Sequence, residues 1–199
     1  MNGTFFDIGL GLGLATACGM RPYLPALLAG ALGSSAALGV GFGGGRFHFL
    51  QSSWWLLALA VVLVASYVAQ LRVGAQRFDR ASSGMIAAHA LAVGALLFAG
   101  TLAHHRDAWW PGLLAGAAAA ALARAAVVPV LRGARSRLSD HAAREALTVY
   151  LDAVSLALAG LVALVHPLGY LAPALLLWLL LRGRTRAGEK YAGLRVLRR

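Results

Sequence analysis

Three charged residues stand where a lipid bilayer would make them costly. Arg21, Arg124 and Asp152 each lie within a long apolar run. A charged side chain at membrane depth pairs with another charge, bonds backbone carbonyls or meets a ligand. Arg21 lies in CGMRPYLPALL, beside Pro22 and Pro25. Prolines in a membrane helix free backbone groups that something must satisfy. Two roles therefore stand open for Arg21. It is the contact for an anion, with Tyr23 and Pro25 shaping the site, or it is a structural arginine that bonds the freed carbonyls.

Asp152 belongs to a stripe. Thr148, Asp152, Ser155, Ala159 and His166 share one helical face, a polar line that could border a path through a bundle. The alternative is an ion pair with Arg124 that only locks helices together. His89, inside another apolar run, and Asp79, at the foot of it, are candidates for a proton relay. Against that stands the ordinary role of an intramembrane histidine, a hydrogen bond to a neighbouring helix. His104, His105 and Asp107 share one short loop with no second ligand set nearby, so no metal is assigned. Nucleophile elbow, HExxH and phosphate-loop signatures are absent. GLGLGLATACG lacks the preceding strand that a dinucleotide fold requires. The expectation is a protein that is not an enzyme and carries no cofactor.

The elements that hold these residues follow from composition. Of 199 residues, 60% are hydrophobic and 13% are charged, against roughly 45–50% and 25% in soluble domains. Apolar runs close to the ~20 residues that cross a bilayer recur along the chain. They fall at about 8–32, 54–71, 84–103, 112–131, 147–165 and 168–181. This predicts an all-α, multi-pass transmembrane bundle of about six helices in one domain over 1–181, followed by a basic tail over 182–199. The first and fourth segments are predicted to be bent or broken by proline. Residues 33–53 are glycine-rich and read as a flexible loop or shallow re-entrant piece, with Ser52 or Ser53 capping the next helix. Trp54, Trp55, Trp109 and Trp110 sit where interfacial aromatics belong. The lone Cys18 rules out an internal disulfide.

The net charge is +11. Its arginines sit mostly between apolar runs, so anionic lipid headgroups are the expected partners and nucleic acid is not. A homo-oligomer or a membrane partner subunit is also compatible with the bundle. The 72–83 linker, the 132–146 loop and the tail hold three, four and seven basic residues, fourteen in all. Arg46 and Arg106 are the only basic residues on the other side. Six crossings then place both termini in the cytoplasm, in a cell inner membrane. If the first segment is instead a hairpin that enters and leaves on one face, the N-terminus moves outside.

A shift of 103 residues lays Gly9, Gly13, Ala17 and Arg21 on Gly112, Gly116, Ala120 and Arg124. Each set is spaced by four and shares one helix face. Three segments separate the two sets, so the second copy is expected to be inverted, a 3+3 inverted repeat of the kind secondary transporters use. Counting 1.5 Å per residue, Arg21 falls roughly 20 Å from the cytoplasmic edge, Arg124 roughly 12 Å and Asp152 roughly 8 Å. The expected ion pair is therefore Arg124 with Asp152, and Arg21 has no acid at its own depth.

ATACGMRPYLPALLAG resembles the opening of a bacterial membrane family known as domain of unknown function 4126. Trp54-Trp55, Phe78-Asp79 and LTVYLDAVSLALAGLVALVHPL are similar to further parts of that family, over roughly residues 8–180. The resemblance implies a small polytopic inner-membrane protein and brings no activity. By position, Arg21, Tyr23, Pro25, Asp79 and Asp152 match its pattern. This chain departs from it at SYVAQL, residues 66–71, where the family tends to carry acidic and basic groups, and at Leu151, which replaces an acid. Together these readings point to a transporter-like protein for a small or lipid-linked anionic solute, with Arg21 as the anion contact. The alternative is a non-catalytic accessory or scaffold subunit of a membrane assembly.

Overall fold

The computed structural model describes residues 3–42, 45–74, 78, 81–104 and 108–195, without the side chains of 141 and 184–195. Among them the chain is all-helical. It forms α1 (Thr4–Met20), α2 (Tyr23–Ser34), α3 (Ser53–Val73), α4 (Ser83–His104), α5 (Trp110–Arg137), α6 (His141–Leu164) and α7 (Leu168–Arg195). Two short 3-10 turns, Ala37–Gly39 and Gly45–Gln51, lie between α2 and α3. Four helices are long and apolar enough to cross a bilayer: α3, α4, α5 and residues Ala142–Leu164 of α6. The apolar helices Thr4–Met20, Tyr23–Ser34 and Leu168–Gly183 are shorter.

The first segment is broken at the residue pair that suggested it. A residue before proline is pushed out of the helical region by the proline ring. Arg21 accordingly adopts φ −148°, ψ 117°, while its N–H still closes the last turn on the Ala17 carbonyl at 3.1 Å. Pro22 then caps α2, and Pro25 sits in its first turn, where a missing N–H costs nothing.

The break reverses the chain. The Tyr170 hydroxyl donates to the Phe5 carbonyl at 2.7 Å near the start of α1. His166 Nε2 donates to the Leu38 carbonyl at 3.2 Å just beyond α2. Both ends of the α1–α2 pair therefore meet the α6–α7 turn, while Arg21 lies at the far tip. Of the two readings left open for the first segment, a crossing and a hairpin, these contacts build the hairpin. It places the start of α1 at the end of the bundle opposite the 132–146 loop. The basic-residue count is untouched, because residues 1–8 carry no arginine or lysine.

α1 is the central element and packs on α4, α5, α6 and α7. Lipid offers no hydrophobic drive between helices, so small residues that let backbones approach dominate such contacts. A Cβ on Gly169 would sit 1.7 Å from the Gly9 carbonyl oxygen, and one on Gly19 would sit 2.3 Å from that of Ala120. Gly11 and Gly112 both abut the 98–102 stretch of α4, and Gly19 abuts Ala120 and Ala123. α1 and α5 thus lie side by side and run the same way. The inverted relation expected for the two small-residue stripes is not the one built, because the hairpin turns α1 round.

The described residues of the glycine-rich 33–53 stretch make a packed plug rather than a loose loop. Phe42 and Leu50 are fully buried, Phe47 nearly so, and the Phe42 N–H donates to Gln51 Oε1 at 3.2 Å. The Ser52 hydroxyl accepts from the Trp55 N–H and caps α3, as expected. α3 itself stands at the rim, with only Leu59 and Gln70 buried along it.

These contacts make a simple expectation. Gly169→Ala should lower stability by about 1–3 kcal/mol, since a backbone atom blocks the new methyl. Gly133→Ala, with open space around it inside α5, should instead raise it by about 0.5–1 kcal/mol. Unfolding in mixed micelles checks both, and equal effects would refute the close packing of α1 on α7.

Candidate anion site at the tip of the hairpin

The hairpin carries Arg21 to the level of Asp152 on α6. Arg21 Nε lies 3.2 Å from Asp152 Oδ1, and both side chains are at most one-tenth exposed. The second carboxylate oxygen accepts a hydrogen bond from the Tyr67 hydroxyl of α3. Ser155 donates to the Asp152 carbonyl at 2.8 Å, one turn further along α6. Asp152 therefore ties three elements together: the hairpin tip, α3 and α6.

The expected Arg124–Asp152 pair is not formed. Arg124 Nη2 donates to the Ser83 carbonyl at the start of α4, at 2.8 Å. The depth estimate failed because it counted α1 in from the basic-loop side. α1 enters from the opposite side, so about 25 Å of helix delivers Arg21 to the level first assigned to Asp152. The acid missing for Arg21 was Asp152.

The remaining candidates separate into groups. The Thr148 hydroxyl accepts from Arg135 Nη2 at 2.6 Å, beneath the ion pair. His166 lies at the other end, so the stripe is divided: Thr148, Asp152 and Ser155 belong to the site and His166 does not. The His89 ring packs on that of Tyr23, with centroids 5.3 Å apart, and its Nε2 is buried without a hydrogen-bond partner. Pro25 is fully buried in α2 and shapes the hairpin. Asp79 lies outside the described residues.

Two members were not singled out in advance. Tyr67 is the second residue of SYVAQL, the stretch that lacks acidic and basic groups. Its signal was a polar aromatic in an otherwise aliphatic span. Arg135 was counted as one basic residue of a loop, yet it is 6% exposed, within the α5 helix.

A cavity of about 410 Å³ opens beside the ion pair. It lies within the roughly 300–1,000 Å³ range of ligand pockets. Arg21, Arg124, Arg132 and Arg135 line it together with Ser83, and no acidic side chain among the described residues does. Arg21 Nη2 is itself buried without a hydrogen-bond partner. An unanswered guanidinium donor is costly in a protein interior. The arrangement suits an oxyanion, since the guanidinium fork is built for phosphate and carboxylate oxygens. Asp152 Oδ1 sits against Nε, on the guanidinium edge that Nε shares with Nη2.

The pair should be energetically coupled. Arg21→Gln or Asp152→Asn alone leaves a buried charge unmatched and is expected to cost about 3–5 kcal/mol. The double variant should cost less than the sum by about 1–3 kcal/mol. A double-mutant cycle by unfolding in mixed micelles measures this, and strict additivity would dismiss the pair as an energetic unit.

No curated protein and no solved structure matches the chain. Residues 8–186 do match one family, over most of the sequence and across every element from α1 into α7. That match includes the hairpin, Tyr67, Asp152 and all four cavity arginines, so the chain belongs to the family described as Domain of unknown function (DUF4126).

Proposed function

We propose that this protein is a transporter-like integral membrane protein of the bacterial inner membrane that takes an anionic solute into the Arg21 cavity. The observation that carries the reading is the convergence of four arginines on one cavity whose deepest guanidinium has a donor to spare. A non-catalytic scaffold has no use for a cavity lined by intramembrane charge, which would be cheaper to close with apolar side chains. The re-entrant hairpin supports the same reading. Irregular backbone at membrane depth is tolerated where it is buried in protein or lines a cavity, and transporters use such breaks to address substrate.

The fourteen basic residues of the 72–83 linker, the 132–146 loop and the tail favour an orientation with the cavity on the cytoplasmic side. The hairpin then puts the N-terminus outside and the tail inside. Anionic headgroups accompany the basic loops, and the protein is not an enzyme.

Two experiments test this. Cys18 is fully buried, so introduced cysteines report alone. Cysteines at Gly3 and Arg46 should react with an impermeant reagent from outside and one at Ser136 only from inside; the reverse pattern would overturn the orientation. In proteoliposomes on a solid-supported membrane, jumps in phosphate, sulfate or organic-acid concentration should give currents. Arg21→Lys, which keeps the charge but loses the fork, should cut them at least tenfold. Silence toward every anion, with a membrane protein co-purifying in fixed ratio, would favour the scaffold subunit.

A further inference from the structure

We infer that the anion is the phosphate headgroup of a lipid, drawn from the cytoplasmic leaflet along α5; this rests on the anionic reading of the cavity. Arg124 and Arg135 are eleven residues apart on α5, with Arg132 between them, about 16 Å of axial rise. They make a series from the exposed Arg132, near the end of the helix, to the half-buried Arg124 and to Arg21 on the hairpin tip. The series spans the depth between a lipid headgroup at the interface and the buried ion pair.

The same face of α5 carries Val127, Val128 and Leu131, and Leu151 of α6 faces them across the cavity. Guanidinium and aliphatic groups thus alternate on one wall. A free inorganic anion gains nothing from the aliphatic half. An amphiphile uses both, its headgroup on the arginines and its chain on the valines and leucines. On the same two helices Val130, Val149 and Tyr150 are more than half exposed. Basic pockets between membrane helices on the cytoplasmic side are a recurring way of holding phospholipid headgroups.

A phosphate suits the donors better than a carboxylate. Arg21 approaches from the hairpin and the other arginines from α5, so their donors come from different directions. A tetrahedral phosphate monoester offers three free oxygens to such a set, whereas a planar carboxylate offers two in one plane. Asp152 is a positioning residue here, since its ion pair with Nε fixes where the Arg21 guanidinium sits at the cavity wall.

The test is competition for a tail-labelled, long-chain phosphatidic acid in neutral detergent, read by fluorescence anisotropy. Unlabelled phosphatidic acid should displace the probe and phosphatidylcholine should not. Inorganic phosphate should need at least a hundredfold higher concentration. Arg21→Gln should weaken the lipid about 10- to 100-fold, and Arg124→Gln about tenfold, the range for a charge-assisted contact. The paired variant R21Q/D152N removes both charges and keeps the result readable if the single variant does not fold. Should inorganic phosphate compete as well as the lipid, and depend on Arg21, the lipid inference falls and the anionic cavity stands. If neither binds in an Arg21-dependent way, both fall.

Discussion

The ion pair between Arg21 and Asp152 is the constraint on which the rest depends. Each partner alone is a charge at membrane depth, and neither would be retained there without the other. The pair also has to be assembled from distant parts of the chain. Arg21 reaches Asp152 only because α1 enters from the end opposite the basic loops and stops at the Arg21-Pro22 step. Asp152 in turn takes the Tyr67 hydroxyl, which brings the inner half of α3 to the bundle. Hairpin, rim helix and α6 are thus fastened at one carboxylate.

The small residues are the second half of the same arrangement. A hairpin in the middle of a bundle displaces volume, so its neighbours must come close. Gly9 against Gly169 and Gly19 against Ala120 supply that closeness. The close approach costs the packing little, because the aliphatic weight is carried elsewhere by Leu10, Leu14, Leu97 and Val162. The plug of Phe42, Phe47 and Leu50 closes the end where the hairpin begins. The cavity is left at the tip, where the chain reverses and no helix continues.

This division gives the molecule a dense half and a charged half. On the side of the α6–α7 turn, glycines, alanines and aromatics pack closely, away from the charged cavity. At the hairpin tip, four guanidinium groups surround one. A ligand at that tip would touch the hairpin and α5 directly, and through Asp152 it would act on α3 and α6. The hairpin tip, α3 and α6 all meet at that one carboxylate.

The sequence by itself determined the class of the protein. Apolar run length and the scarcity of charge pointed to a helical membrane bundle, because continuous apolar runs near 20 residues suit spanning helices, whereas barrel strands are about half as long and alternate. It also marked Arg21, Arg124 and Asp152 as the residues that matter, since charge in an apolar run is conspicuous. The break at Arg21-Pro22 was readable from the proline's effect on its predecessor. What only the tertiary structure decided was direction and partnership. A proline break says that a helix stops, not whether the chain crosses or turns back. That one choice is set by non-local packing, with Phe5 on Tyr170 and Leu38 on His166. Turning back reversed α1, made it parallel to α5 and gave Asp152 to Arg21 rather than to Arg124. Tyr67 and Arg135 stayed hidden for the same reason. Their roles come from what they meet across the bundle, and spacing along the chain does not carry that information.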